Sequence, residues 1–553
     1  MTTRPRGAQQ RWRVLAASAI ALGGVLISPS QGDATVTAAS VSPSRVIVQT
    51  ADGSLTAVVK AAEKLGAHVV STQASLDTVV VDLPANHLDD LRDVPGVRAA
   101  TRDMRVHLSS VPSVTGSSGD ISNVAEETGA TNYWDSGFFG QGVDVALLDS
   151  GVLPVDGLMT PNKLVIGPDL SYENRSKSLR GLDTFGHGTH MAGIIAGLDS
   201  GQSPTSYPNT RNHFVGMAPA SRIVSIKLAD AHGQTDVSQV VAGIAWVIDH
   251  AHDSGLNIRV LNLSFGTDPS KDGRLDPLEH AAAVAWDRGI VVVVSAGNGS
   301  TVDGGLASPA LSKDVLAVGS LDTHGTGDTG DDTVASFSKR GNTGKGKRGP
   351  DIVAPGVSLV SLRAPGSYID QTQKNGRVGD RFFKGSGTSQ SAAVVSGAAA
   401  LMLSQRPQLS PDQVRDVLRR TARSLHGVSD DAQGEGAIDL AAAQDLANRM
   451  RPGRSANSRD SYRSWGNSRR SHDDDDWAGD VSDGAYWNGV KWSGATWAGA
   501  TWAGATWASD GWDGATWAGA TWAGATWAGA TWAGATWAGA TWADADWASA
   551  GWE

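Results

Sequence analysis

Three short segments of the chain hold residue types that can do chemistry. V-A-L-L-D-S-G places Asp149 where an apolar strand ends, D-T-F-G-H-G-T-H-M-A-G places His187 between two glycines, and G-T-S-Q-S-A-A places Ser389 at the start of an alanine-rich helix. Each is ambiguous alone. An aspartate before Ser-Gly is ordinary turn chemistry. His187 and His190 form H-x-x-H, which lacks the glutamate and the helical i,i+4 spacing of a zinc protease. Ser389 reads either as a plain N-cap or as a hydroxyl beside free helix amides, whose positive potential suits a developing oxyanion. The glycines around His187 let backbone pack closely there.

The elements that must position these residues follow from the apolar pattern. From about Thr131 to Leu446, continuous apolar runs (Val143 to Leu148, Ile223 to Leu228, Val260 to Leu263, Ile290 to Val294, Val315 to Val318) alternate with amphipathic stretches. Helical spacing appears at Val237, Val240, Val241, Ile244 and Ile248, and again over Ser389 to Leu403. Ser410, Pro411 and Gln413 open a late helix with a capping box. Strands apolar on both faces, interleaved with helices, predict a parallel α/β sheet covered on both sides, with function at the C-terminal strand ends.

Taken together, the three segments resemble the subtilisin-like serine proteases, whose chain order is Asp, then His, then Ser. Further segments stand in the family's order: V-L-N-L-S-F-G (Val260 to Gly266), V-S-A-G-N (Val294 to Asn298), A-S-P-A (Ala307 to Ala310) and D-I-V-A-P-G (Asp351 to Gly356). The resemblance implies that Ser389 attacks the scissile carbonyl, that His187 moves its proton, and that Asp149 holds the imidazole. It implies that Asn298 serves the oxyanion, its side-chain amide beside the Ser389 backbone N–H. Ser264, Phe265 and Gly266 would pair with an extended substrate backbone. Ser295, Ala296 and Gly297 would form the other wall of a roomy P1 pocket of broad or apolar preference. Where the family usually has Met-Ala after the nucleophile and a proline four residues on, this chain has Gln390-Ser391 and Ala393.

Around this unit the chain reads as an exported precursor. Arg4, Arg6, Arg11 and Arg13 precede an apolar stretch, Val14 to Ile27, of signal-peptide length, the alternative being a single membrane anchor. Residues 1–38 are therefore expected to be a signal peptide. Short β-like runs (Arg45 to Thr50, Thr78 to Leu83, Val97 to His107) around two helical stretches predict a small β-α-β-β-α-β unit, ferredoxin-like, over residues 44–108. It is similar to the inhibitory propeptide that accompanies the family. An exposed processing linker is expected over 109–130, the catalytic unit over 131–447 and a charged linker over 448–476.

Composition bounds the rest. The 553 residues suggest about three to four units. The formal charge of −11 argues against a nucleic-acid partner. With no cysteine, thiol nucleophiles and disulfide scaffolds are excluded. Fifteen of the 20 tryptophans fall from Trp477 onward, at every fifth position between Trp487 and Trp552. A period of five gives neither a helical face nor one face of a strand. The A-T-W-A-G repeat over 477–553 reads as a low-complexity tail, a pentapeptide-type β-solenoid, or an aromatic platform for the cell envelope.

The reading is a secreted endopeptidase, extracellular or cell-surface associated, made as a zymogen, with polypeptide substrates and its own propeptide as inhibitor. Catalysis requires no cofactor; structural calcium is compatible, with no metal ligand assigned. The alternative is a catalytically weak pseudoprotease that binds surfaces or serves structure through its tail.

Overall fold

The computed structural model describes residues 43–108, 119–206, 213–253, 255–267, 275–299, 305–341 and 348–450. The expected signal peptide, most of the charged linker and the Trp repeat lie outside the described residues. Residues 43–108 run β1 (Pro43–Thr50), α1 (Leu55–Lys64), β2 (His68–Gln73), β3 (Thr78–Pro84), α2 (Leu88–Arg92), β4 (Val97–Arg102) and β5 (Arg105–His107). The first four strands form an antiparallel sheet in the order β2-β3-β1-β4. Val46, Val48, Val79 and Val81 line one face of it and bury against Val58 and Ala62 of α1 and Leu88 and Leu91 of α2. The stretch Val97 to His107, read from sequence as one run, is two strands. At the break, the Asp103 amide bonds Arg45 O and the chain leaves for a different sheet.

The larger unit is built on β6 (Asp144–Asp149), β7 (Leu164–Asp169), α3 (His187–Ala196), β8 (Arg222–Lys227), β9 (Gln234–Asp236), α4 (Val237–His250), β10 (Ile258–Leu263), α5 (Pro277–Asp287), β11 (Val291–Ser295) and β12 (Leu316–Asp322). It continues with β13 (Ile352–Pro355), β14 (Leu359–Leu362), β15 (Phe382–Gly385), α6 (Thr388–Gln405), α7 (Pro411–Thr421) and α8 (Leu440–Arg449). The main sheet runs β12-β11-β10-β6-β8-β7, with β13 also on β12, and every one of these pairs is parallel. Among the described residues Thr333–Val334 adds an antiparallel strand on β12. All residues of β6 and β11 are buried, so both faces of the sheet are covered, as continuous apolar runs require.

α6 passes across β10 to β13, and its alanines let it lie close to them. The capping box of α7 is formed: Ser410 Oγ accepts from the Gln413 amide (3.2 Å) and Gln413 Oε1 from the Ser410 amide (3.0 Å). A cap of this kind is worth about 1 kcal/mol.

Residues 119–130, at the end of the expected processing linker, belong to the larger fold. Gly119–Asp120 pairs in parallel with β14, a helix spans Ile121–Glu127, and Val124 and Ala125 lie in the main core. Leu108, the last residue before that linker, is also buried. Among the described residues no helix is long and apolar enough to cross a membrane.

Candidate active site

Asp149 is the last residue of β6, at the C-terminal edge of the sheet, and is 1 % exposed. Both its carboxylate oxygens lie 2.9 Å from His187 Nδ1, and Oδ1 also accepts from the Ser150 amide (2.8 Å). His187 opens α3 directly after Gly186, whose φ of +106° suits glycine. On its other side, a Cβ on Gly188 would run into Gly151 O and stand 3.2 Å from the Asp149 Cβ, so glycine lets the helix start rest on the end of β6 and the turn after it. Sequence and structure agree here on why His187 is bracketed by glycines.

His187 is buried, which disfavours its charged form, yet the charge and hydrogen bond of Asp149, with Asp183 adding, hold the imidazole above its ordinary value. His190, one turn along α3, behaves oppositely. Burial pushes it down to about 4, and its Nε2 faces Phe383 O at 3.1 Å. It is a neutral packing histidine. Among the described residues no group of three or more His, Asp or Glu is arranged to hold a metal.

Ser389 is the second residue of α6, and Gly387 occupies the N-cap position. The plain N-cap reading is thereby replaced. Ser389 Oγ donates to Ser264 O (3.0 Å), while His187 Nε2 is buried without a partner among the described residues. Asn298 Oδ1 accepts from the Thr388 amide (2.9 Å) and the Thr388 hydroxyl (3.0 Å), which fixes the plane of its side-chain amide beside the start of α6. The Nδ2 arm lies next to Gly387. Gln390 is buried, its amide alongside Gly385 and Gly387, and Ala393 lies in the core without interrupting α6.

Ser264, Phe265 and Gly266 follow β10, and Ser295 ends β11 with Ala296 and Gly297 after it. The two segments flank Ala307. A Cβ on Gly266 would come within 2.8 Å of the Ala307 methyl, and one on Gly297 within 3.1 Å. Glycine at both positions therefore lets the two segments close onto the Ala307 methyl, where any side chain would clash.

A feature not singled out from sequence is β9, the polar tripeptide Gln234–Asp236. β5 lies antiparallel on it, pairing His107 with Gln234, Val106 with Thr235 and Arg105 with Asp236. The Leu108 amide extends the ladder to Gly233 O (2.9 Å), and the Val237 amide bonds Met104 O (2.9 Å). Val106 and Leu108 are buried while Arg105 and His107 face outward, the alternation expected of an added strand. Three polar residues give no apolar period by which this strand could have been read in advance. Asp103 bonds the Ser238 amide (3.0 Å) and hydroxyl (2.5 Å) in the first turn of α4, and Leu76 O meets His280 Nε2 of α5 (3.1 Å).

Residues 140–437 match the model of the subtilase family, Peptidase S8. The chain is 37 % identical over 303 residues to the serine protease AprX of Bacillus subtilis (strain 168), spanning 54 % of this chain and 65 % of that protein, just under two thirds of its length. It is 32 % identical over 311 residues to subtilisin Savinase of Lederbergia lenta, covering 56 % of this chain and 92 % of that protein. The crystal structure of fervidolysin from Fervidobacterium pennivorans, a keratinolytic enzyme related to subtilisin, superposes with a TM-score of 0.56 over 73 % of this chain and 61 % of the other. At 24 % identity that likeness speaks to the fold alone. With more than half of the chain matched and the parallel sheet in place, the chain belongs to the subtilase family of serine endopeptidases.

Proposed function

We propose that the protein is a secreted subtilisin-like serine endopeptidase made as a zymogen, cleaving polypeptides with Asp149, His187 and Ser389. The observation that carries the reading is the buried Asp149–His187 pair at the strand ends, together with Ser389 in the first turn of α6 and Asn298, from the loop after β11, bonded to the same turn. In the reaction the Ser389 hydroxyl turns from Ser264 O to His187 Nε2, gives up its proton and attacks the carbonyl. Asp149 keeps the proton of Nδ1 in place and stabilises the imidazolium. Asn298 Nδ2 and the Ser389 amide receive the oxyanion, and His187 then protonates the leaving amine.

Residues 44–108 act as the inhibitory pro-unit. What supports this is β5, which adds to β9 as a substrate strand would, together with the capping of α4 by Asp103. The chain from Leu108 onward then leads to the cleaved bond. Calcium as a structural ion belongs to this reading without an assigned site, and the Trp tail is read as an envelope contact. The parked orientation of Ser389 favours the alternative, a catalytically weak homologue. One experiment separates the two: wild type and Ser389→Ala are expressed, and pro-unit release and serine-directed labelling are followed. Release and labelling in wild type alone support the protease; neither in wild type refutes it.

A further inference from the structure

The geometry points to Asp183 as a positioning residue of the catalytic apparatus, a second buried carboxylate that holds both Asp149 and His187 in place. This rests on reading those two residues as the acid–base pair. Asp183 is 2 % exposed and accepts four hydrogen bonds. Its Oδ1 takes the Gly186 amide (2.6 Å) and the Ser150 hydroxyl (2.8 Å), and its Oδ2 takes the Thr189 amide (2.8 Å) and hydroxyl (2.6 Å). Ser150 Oγ in turn accepts from the Gly188 amide (3.0 Å) and lies 3.2 Å from Asp149 Oδ1. Thus the amides of residues 186, 188 and 189, on both sides of His187, all end on Asp183 or on the Ser150 hydroxyl, whose single proton is shared between Asp183 (2.8 Å) and Asp149 (3.2 Å).

A helix cap alone would account for the Gly186 and Thr189 bonds but not for the Ser150 bridge. All four donors are neutral, so no cation among them cancels the charge of Asp183. Burial raises the pKa of Asp183 and the four bonds oppose that rise. The charged or titratable groups around His187 are Asp149 on β6, Asp183 before α3 and His190 on α3, while α6 contributes the neutral Ser389 and Gln390. Removing the Asp183 charge would therefore make His187 easier to deprotonate, because one of the two anions supporting its cationic form is lost.

The test is Asp183→Asn, assayed per titrated active site with a short chromogenic peptide across pH. The expected result is a fall in kcat of roughly 10- to 100-fold with little change in KM, and an acidic limb of kcat/KM moved down by about 0.5 pH unit or more. A purely structural role would lower the yield of active enzyme and leave the limb where it is. Unchanged kcat and an unmoved limb overturn the proposal. If Asp183→Asn does not fold, Ser150→Ala, which keeps both carboxylates, decides: lower kcat at constant KM supports the link and unchanged kcat overturns it. A direct NMR titration of His187 in the full Ser389→Ala chain, with and without Asp183→Asn, needs no turnover. A downward shift there upholds the Asp183 link even if wild type proves inactive, and no shift sinks it even if wild type is active.

Discussion

β6 begins and ends on a buried aspartate, and the two are put to different use. Asp144 at its start receives the Arg222 guanidinium through two bonds (2.6 and 2.5 Å) and the Asn257 amide (2.7 Å). Arginine keeps its proton at any working pH, so this pair can only brace β6 against β8 and the loop before β10. Asp149 at the other end faces an imidazole at 2.9 Å, whose proton moves near neutral pH. Burial is common to both. What separates the structural carboxylate from the reactive one is whether its partner can exchange a proton and whether a nucleophile stands near.

That contrast is broken most severely by removing the reacting groups. Ser389→Ala or His187→Ala should lower kcat by roughly six orders of magnitude and Asp149→Ala by about four, the sizes known for the related subtilisin. The double variant Ser389→Ala/His187→Ala should be no worse than either single one, as read from residual hydrolysis after active-site purification. Next comes the oxyanion side. Asn298→Asp keeps an oxygen for the Thr388 amide but loses the donor, so kcat should drop about 100- to 1,000-fold with KM nearly constant. A change confined to KM would remove Asn298 from the chemistry.

At the other end of the strand, Asp144→Asn should leave kcat/KM unchanged while costing about 2 kcal/mol in folding stability, measured by denaturant unfolding of the Ser389→Ala chain. A fully buried pair costs about 3–5 kcal/mol when one member is lost, and Arg222 retains some contact with water. Asp149→Asn should destabilise less than Asp144→Asn; the reverse order would undo the comparison.

Two pH effects are smaller. His187 must be neutral to accept the Ser389 proton and is held above its ordinary value of about 6.5. Hence kcat/KM should rise with pH through a midpoint above 6.5, and a midpoint below it would contradict the assigned environment. Lys163, beside the start of β7, donates to Pro219 O and Ser221 O, and burial lowers it to about 7. At this site the unfolded chain binds more protons than the native one from about pH 7 up to the ordinary lysine value, so the Lys163 contribution to stability rises with pH across that window. Lys163→Met should flatten this rise in Tm, measured in the Ser389→Ala chain between pH 6 and 9.5.

The main sheet was legible because strands buried on both faces must be apolar throughout, and Val291–Ser295 and Asp144–Asp149 meet that condition apart from their ends. Asp149, His187 and Ser389 were visible as segments, and the family resemblance ordered them. Asp183 stood inside the quoted D-T-F-G-H run without a role, since its meaning depends on Ser150, which reaches it only through the turn after β6. β9 escaped notice for a different reason: Gln-Thr-Asp owes its extended form to β5 and not to its own pattern. Likewise the split of Val97 to His107 depends on what Asp103 meets at α4, which no local period reports.

The central claim is that Ser389 is a nucleophile activated by His187. It is tested most directly by treating the mature wild-type protein and His187→Ala with a serine-directed fluorophosphonate and mapping the adduct by peptide mass. Stoichiometric modification of Ser389 in wild type, abolished in His187→Ala, is the predicted result. Absence of the adduct from wild-type Ser389, or equal labelling without His187, would contradict the account.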